Sequence, residues 1–198
     1  MRAQLYKFRI EYEGFEKTVW RSVQVSSNYP LSKVGYLILA VFDTMANHMF
    51  YIEHEGTHYE IAPPEDDIEE LNAYVNPAKI KLSKMNLSVG SRMTMVYDYG
   101  CDQTFHITFT EITDMASGTS AMYPKVTEGA GKGILDDVPA DEFGEILKSI
   151  DKTGRSTHMY YSPYSTEELW DYRDLDIELM NKSLKSDIAA IQCSYEDL

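Results

Sequence analysis

M-T-M-V-Y-D-Y-G-C-D-Q-T-F-H-I-T-F-T-E-I, from Met93 to Ile112, carries the pattern around which the rest of the chain is arranged. Two apolar, β-favouring runs, Met93 to Tyr97 and Phe105 to Phe109, flank Asp98, Tyr99, Gly100, Cys101 and Asp102, the pattern of a hairpin whose short connection needs a glycine. Gly100 is expected to take a positive φ without a Cβ clash, and the carboxylates of Asp98 and Asp102 to accept hydrogen bonds from turn amides. The polar residues of the bend read first as a well-made turn.

Toward the N-terminus, Tyr6, Phe8, Ile10 and Tyr12 alternate with Lys7, Arg9 and Glu11, the mark of a strand with one face buried. Glu13-Gly14 turns the chain into a second strand, with Val19, Arg21, Val23 and Val25 on one face and Trp20, Ser22 and Gln24 on the other. Tyr29-Pro30 stops the sheet, because proline removes a ladder donor. From Leu31 the period becomes helical. Leu31, Val34, Ile38, Val41 and Phe42 form a stripe wide enough to cover a sheet, and Gly35 inside it signals close approach to a neighbour.

His48 to Ile61 reads as another hairpin, turning at Glu55-Gly56. Within it His54-Glu55-Gly56-Thr57-His58 fits H-E-x-x-H, a zinc-protease pattern that requires a helix to put both imidazoles on one face. Glycine at a turn between β-favouring residues argues against that geometry. Ala62 to Ala73 is an acidic, proline-led connection expected to be solvated. Ile80 to Leu87 is a short apolar stretch leading through Val89-Gly90 into the central hairpin.

Beyond Ile112 a loop is expected from Thr113 to Tyr123. Tyr123 to Val138 carries three glycines, yet lacks the G-K-[ST] ending of a phosphate loop and the strand-GxGxxG-helix setting of a dinucleotide site. Asp141 to Ile150 is a predicted helix ended by Lys152-Thr153-Gly154, with Asp141 favourable near its positive end. Ser165-Thr166-Glu167-Glu168 has the form of a capping box opening a helical turn at Trp170. A last helix starts at Asp176 and places Ile177, Met180, Leu184, Ile188 and Ile191 at helical spacing. The fold class expected is α+β in a single domain over 1–198. An N-terminal ββα(ββ) unit, β-grasp-like, joins the central hairpin in one antiparallel sheet within 1–112, and a loop and helices follow in 113–198.

Composition bounds the partners. The 198 residues are 43% hydrophobic, enough to bury a substantial core, and 32 acidic against 18 basic residues give a net charge of −14. A phosphate backbone would meet a repulsive field, and Lys79, Lys81 and Lys84 are too sparse to make a basic patch, so nucleic acid is not an expected partner. The two cysteines, Cys101 and Cys193, lie far apart without metal-ligand spacing, which fits a reducing cytoplasm. The N-terminus alternates like a strand and not like a signal peptide. The longest apolar run, Tyr36 to Phe42, falls far below the roughly 20 residues of a membrane-spanning helix.

Several pieces together resemble the plasmid pRiA4b ORF-3-like family, also met as the passenger "TnpR" protein of an insertion element. Val19-Trp20-Arg21-Ser22-Val23-Gln24-Val25 is similar to the family's I-W-R-R-I-x-V. Leu31 to Phe42 is similar to its L-x-x-L-x-x-x-I-x-x-x-[MF] helix, and His48-Met49-Phe50-Tyr51-Ile52 to H-L-x-x-F. Tyr97-Asp98-Tyr99-Gly100 corresponds to Y-D-F-G, followed by Glu128-Gly129-Ala130-Gly131, Asp136-Asp137-Val138, and Asp176 to Leu184, like F-D-L-E-E-I-N-R-R-L. The likeness spans nearly the whole chain. Many members continue with D-D-W-x-H, where this chain has Cys101, Asp102, Gln103, Thr104 and Phe105, so a role needing that histidine does not transfer. His106 sits one place later and faces the other way in a strand. The resemblance implies an α+β fold with an antiparallel sheet around the first helix, mobile-element neighbourhoods in some members, and no established enzymatic activity.

The function expected is a non-enzymatic interaction or ligand-binding domain with a protein or small-molecule partner and no cofactor. Its candidate site residues are Trp20, His48, Tyr97, Asp98, Tyr99 and Asp102, brought together if the first helix and both hairpins share a sheet; His48 could alternatively cap the preceding helix. The alternative is a divalent-metal-dependent hydrolase or nuclease in which Asp98, Asp102, Glu128, Asp136 and Asp137 gather as hard oxygen ligands.

Overall fold

The N-terminal alternation becomes strand β1, Gln4–Tyr12, paired antiparallel with β2, Trp20–Ser26, in a register that sets Phe8 opposite Val23 and Ile10 opposite Arg21. The computed structural model of the chain describes residues 3–61, 74–119, 122–161 and 167–196. Helix α1, Leu31–Val41, follows β2. Strands β3, Phe50–His54, and β4, Thr57–Glu60, form the second hairpin. Two 3₁₀ turns, Pro77–Lys79 and Leu82–Lys84, occupy the stretch before β5, Arg92–Tyr97.

The central hairpin closes as its sequence predicts, β5 pairing with β6, Gln103–Asp114. Strand β6 then outruns the expected loop start by two residues and pairs with β1 along almost its whole length; Thr110 is bulged out opposite Lys7 and Phe8 and donates its hydroxyl to the Lys7 carbonyl. Strand β7, Lys125–Ala130, completes a seven-stranded sheet of order β4-β3-β5-β6-β1-β2-β7. Every pairing in it is antiparallel.

One face of the sheet is dry. Tyr6, Phe8, Ile10, Tyr12, Val23, Val25, Phe105, Ile107 and Phe109 are buried there beneath the helices. Helix α2, Ala140–Thr153, ends on Gly154 in the left-handed conformation (φ 74°) and sets Phe143 edge-on to Tyr12 and Trp170. Helix α3, Ile177–Glu196, is capped as predicted, the Leu179 amide donating to Asp176 Oδ1 at 2.9 Å, and lays Tyr195 against Tyr36 of α1. The other face is polar, with Arg9 stacked 3.7 Å over the Trp20 ring and Lys7 beside Glu128.

Helices confined to one face of an antiparallel sheet make this an α+β fold. Among the described residues no helix is long and apolar enough to cross a membrane.

Two local expectations give way. Glu167–Leu169 forms a strand, β9, against β8, Met159–Tyr161, in place of the capping-box helix; Ser165 and Thr166 lie outside the described residues. Burial of the whole Trp170 indole, with its amide on the His158 carbonyl, overrides the local cap signal. The second concerns the central turn. Gly100 does not hold the positive φ; Asp98 (54°) and Asp102 (50°) do, as aspartate tolerates. A Cβ at Gly100 would stand 3.3 Å from Asp98 Oδ1, a tight contact that a small shift of that side chain would relieve. The acidic connection from Ala62 to Ala73 lies outside the described residues.

Candidate functional site

Three segments converge at one end of the sheet: the α1–β3 connection, the β5–β6 turn, and the chain following β7. The last is drawn in by Gly133, whose missing Cβ would fall 2.2 Å from the Phe42 carbonyl oxygen, and by the Ile134 amide donating to that oxygen at 3.0 Å. Gln103 then pins the bend beyond Ile134. Its buried side-chain amide donates to the carbonyls of Leu135, at 2.7 Å, and Val138, at 3.3 Å, bracketing Asp136 and Asp137.

His48 stands at the meeting point. Its Nδ1 lies 3.7 Å from Asp98 Oδ1 and its Nε2 lies 3.0 Å from Asp137 Oδ1. The second distance is short, but the ring N–H is not aligned on the oxygen, so Nε2 is buried without a hydrogen bond. The imidazole is held in place from outside: the Tyr97 ring packs against its edge, and the Tyr195 hydroxyl donates to the His48 carbonyl. His48 comes six residues after the Phe42 C-cap of α1, so it does not cap that helix.

Asp98 is almost wholly buried, its side chain 6% exposed. Oδ1 accepts the Gly100 amide at 3.1 Å, while Oδ2 has no hydrogen-bond partner. Asp136 repeats the pattern, with the Met45 amide donating to Oδ2 and Oδ1 left unpartnered. Desolvation holds the Asp136 carboxyl above the usual carboxylate range, against the opposing pull of the Met45 amide, Tyr97 and His48. Burial, and next the charge of Asp136, push the Tyr97 phenol far up; its hydroxyl donates to Asn47 Oδ1 at 3.2 Å.

Beside this cluster opens a cleft of about 380 Å³, lined among others by Asp43, Asn47, Asp136, Asp137, His158 and Tyr160. No lysine or arginine is among the described lining residues. The backbone around it is strained: Asp43, Ala46, Asp98 and Asp137 all take φ between 53° and 60° without being glycine.

Of the six candidates from sequence, the structure brings together His48, Tyr97 and Asp98. Trp20 lies on the polar face under Arg9, Asp102 is exposed at the turn, and the exposed Tyr99 donates to Glu60 of β4. Of the five carboxylates proposed as metal ligands, Asp98 and Asp137 meet at His48, Asp136 precedes Asp137 in the chain without joining them, and Glu128 sits on β7 beside Lys7. The H-E-x-x-H pattern spans the β3–β4 turn as expected, with Glu55 and Gly56 at positive φ; His54 bonds the Arg92 carbonyl while His58, opposite Glu53, stacks on Tyr51 on the other face. Gln103, Met45 and Tyr195 carried no signal for their roles here.

A family model for plasmid pRiA4b ORF-3-like proteins matches residues 4–179. The chain belongs to this family. No similar sequence is found among the curated proteins. Among solved structures, the crystal structure of a protein of unknown function, MM3350 from Methanosarcina mazei Go1, is similar with a TM-score of 0.69. That likeness covers 90% of this chain and 97% of the other at 20% identity, and is one of fold. In this pRiA4b ORF-3-like chain Gln103 stands where the D-D-W-x-H pattern has tryptophan, and His106 reaches Glu13 at 3.2 Å on the polar face, away from His48.

Proposed function

We propose that this protein is a binding domain for a small cationic ligand, taken up in the cleft between the α1–β3 connection and the Ile134–Val138 segment. The observation that carries the reading is the half-buried Asp136 carboxyl, one of whose oxygens is buried without a hydrogen-bond partner, on a residue lining a cleft whose other acidic lining residues are Asp43 and Asp137. A buried carboxylate oxygen lacking a partner costs about 1–3 kcal/mol, and a cation that reaches it removes that penalty. Tyr160, Met45 and Met159 supply apolar area for the rest of a ligand.

The test is a thermal-shift and calorimetric panel of alkylamines, diamines, guanidinium compounds and divalent metal ions, set against neutral alcohols and carboxylates of matched size. Cations are expected to raise the Tm, and Asp136→Asn is expected to abolish the shift given by the organic cations. The variant should also raise the Tm of the ligand-free chain at neutral pH. The sign follows from the raised carboxyl: the penalty for holding it charged is fully present above its folded pKa and fades as pH falls from there toward the lower unfolded value, and asparagine lacks it at every pH. Equal shifts from neutral or anionic analogues, or none from any cation, would refute the reading.

The metal-dependent hydrolase is a second reading, favoured by the meeting of Asp98 and Asp137 at His48. Metal-stimulated cleavage of a phosphodiester or ester that is lost in Asp137→Asn would establish it over simple binding.

A further inference from the structure

We propose that the cluster beside this cleft is a divalent transition-metal site whose protein ligands are His48, Asp98 and Asp137, the last of which also lines the cleft. The inference rests on the cation-binding reading above and names the cation. One ligand atom from each of the three residues lies within 4.8 Å of the others. Ligand atoms around one four-coordinate ion stand roughly 3.4 Å apart, so closing the set needs side-chain shifts of about an ångström. Asp137, 72% exposed, has that freedom, whereas Asp98 is fixed by burial and by the Gly100 amide.

The independent sign of a missing ligand is the set of unsatisfied atoms. Asp98 Oδ2 and His48 Nε2 are two buried polar atoms without hydrogen bonds within this ligand set, and Asp136 Oδ1 is a third on the residue next to Asp137. Native proteins leave few such atoms, and each one left is destabilising. An imidazolium bridging the two carboxylates would satisfy some of them, but neither nitrogen makes an aligned hydrogen bond to either aspartate. A metal ion on the lone-pair axis of one nitrogen need not lie on the line from that nitrogen to a carboxylate oxygen.

The donor set names the class of metal. One imidazole nitrogen with two carboxylates suits zinc, cobalt, manganese or iron(II), whereas calcium takes six to eight oxygens and magnesium keeps most of its water. Three protein ligands leave a coordination position open for water or a ligand. The residues behind the ligands are those that commonly orient a metal set: Tyr97 against the His48 ring, Tyr195 on the His48 carbonyl, Gly100 on Asp98, and Gln103 bracketing the bend that carries Asp137.

The experiment uses the full chain, stripped with chelator and titrated with Zn²⁺ and Co²⁺, with Ca²⁺ and Mg²⁺ as controls. Binding is read by competition with a chromophoric chelator and by the visible absorption of the cobalt form. We expect one transition-metal ion per chain, binding at least tenfold tighter than calcium or magnesium, and roughly hundredfold weaker binding in both His48→Gln and Asp137→Asn. Asp137→Asn keeps a residue that tolerates the left-handed backbone at an exposed position, so its loss of binding is not a loss of fold. Absence of stoichiometric binding, binding untouched by both substitutions, or equal affinity for calcium would overturn the site. Amine binding that depends on Asp136, found alongside any of these, would leave the cation-binding reading standing while removing the metal.

Discussion

Gln103 donates to the Leu135 carbonyl at 2.7 Å, tying the first residue of β6 to the segment that carries Asp136 and Asp137. Leucine at this position would remove both side-chain donors and strand two carbonyls, while also removing the Gln103 Oε1 atom that is itself buried without a partner. The two effects oppose, and the net loss expected for Gln103→Leu is about 1–2 kcal/mol, or roughly 3–6 °C in a chain of this size. The more telling readout is local. Amide exchange at Asp136 and Asp137 should accelerate by more than the global destabilisation accounts for, because the bracket acts on the bend; uniform acceleration through the chain would contradict this.

Arg21 is a buried cation answered chiefly by carbonyl groups. Nε donates to the Val41 carbonyl at 3.0 Å, Nη1 to Trp20 at 2.9 Å and Ala130 at 2.7 Å, and Nη2 to Lys132 at 2.6 Å. Burial lowers the guanidinium to about 10, with Asp43 opposing, so it remains charged at neutral pH. It joins the end of α1 to β7 and the strand's exit toward the cleft. A lysine ammonium, a point charge with three donors on a different stem, cannot span this set. Arg21→Lys and Arg21→Met should therefore both lose about 2–4 kcal/mol, measurable by urea unfolding. A lysine variant within about 0.5 kcal/mol of the parent would show that the charge matters and the fork does not.

Gly35 lies inside α1, where alanine would gain about 1 kcal/mol of helix propensity. Space forbids it. A Cβ would fall 2.2 Å from Phe50 Cε2, and that ring is enclosed by Tyr36 and Tyr195. Overpacking of this kind costs about 1–3 kcal/mol, so Gly35→Ala should be destabilising overall. Phe50→Leu, which removes the offending ring atoms, should be less harmful with Gly35→Ala than the sum of the two single changes. Additive losses in that double-mutant cycle would place the strain elsewhere.

Periodicity is what made the fold legible in the sequence. Tyr6 to Tyr12, Val19 to Val25, the α1 stripe and the two hairpins all follow from alternation or helical spacing, and the structure sets them side by side as one sheet and its covering helix. Strand β7 was not legible, because Lys125-Val126-Thr127-Glu128-Gly129-Ala130 has only one fully buried apolar residue, Val126. Its place beside β2 is decided by Arg21 and by close backbone contacts that small residues permit. The candidate site was half legible. His48, Tyr97 and Asp98 stood out by residue type, but Asp98 and Asp137 are 39 positions apart in the sequence, and their meeting depends on Gly133 and Gln103, whose partners are carbonyl oxygens that no side-chain pattern records. Trp20 misled for a related reason: aromatic and polar character marks a site or a stacked surface pair alike, and alternation with the inward Arg21 puts it on the far face.

Cys101, in the central turn, gives a chemical probe of the same cluster. Burial, and then the neighbouring carboxylates with Asp98 foremost, push its thiol up to about 11. At pH 8 its thiolate fraction is therefore about a hundredfold below that of a thiol titrating at the ordinary value, while the greater nucleophilicity of a more basic thiolate returns about tenfold. Iodoacetamide should label Cys101 about tenfold more slowly than an unhindered peptide thiol, with the exposed Cys193 as the internal comparison. Asp98→Asn removes the leading carboxylate and should speed Cys101 labelling while leaving Cys193 unchanged, as read by mass spectrometry of the two peptides. Acceleration at both cysteines would instead report general loosening of the fold, and no acceleration at Cys101 would mean that Asp98 does not set the field felt by the turn.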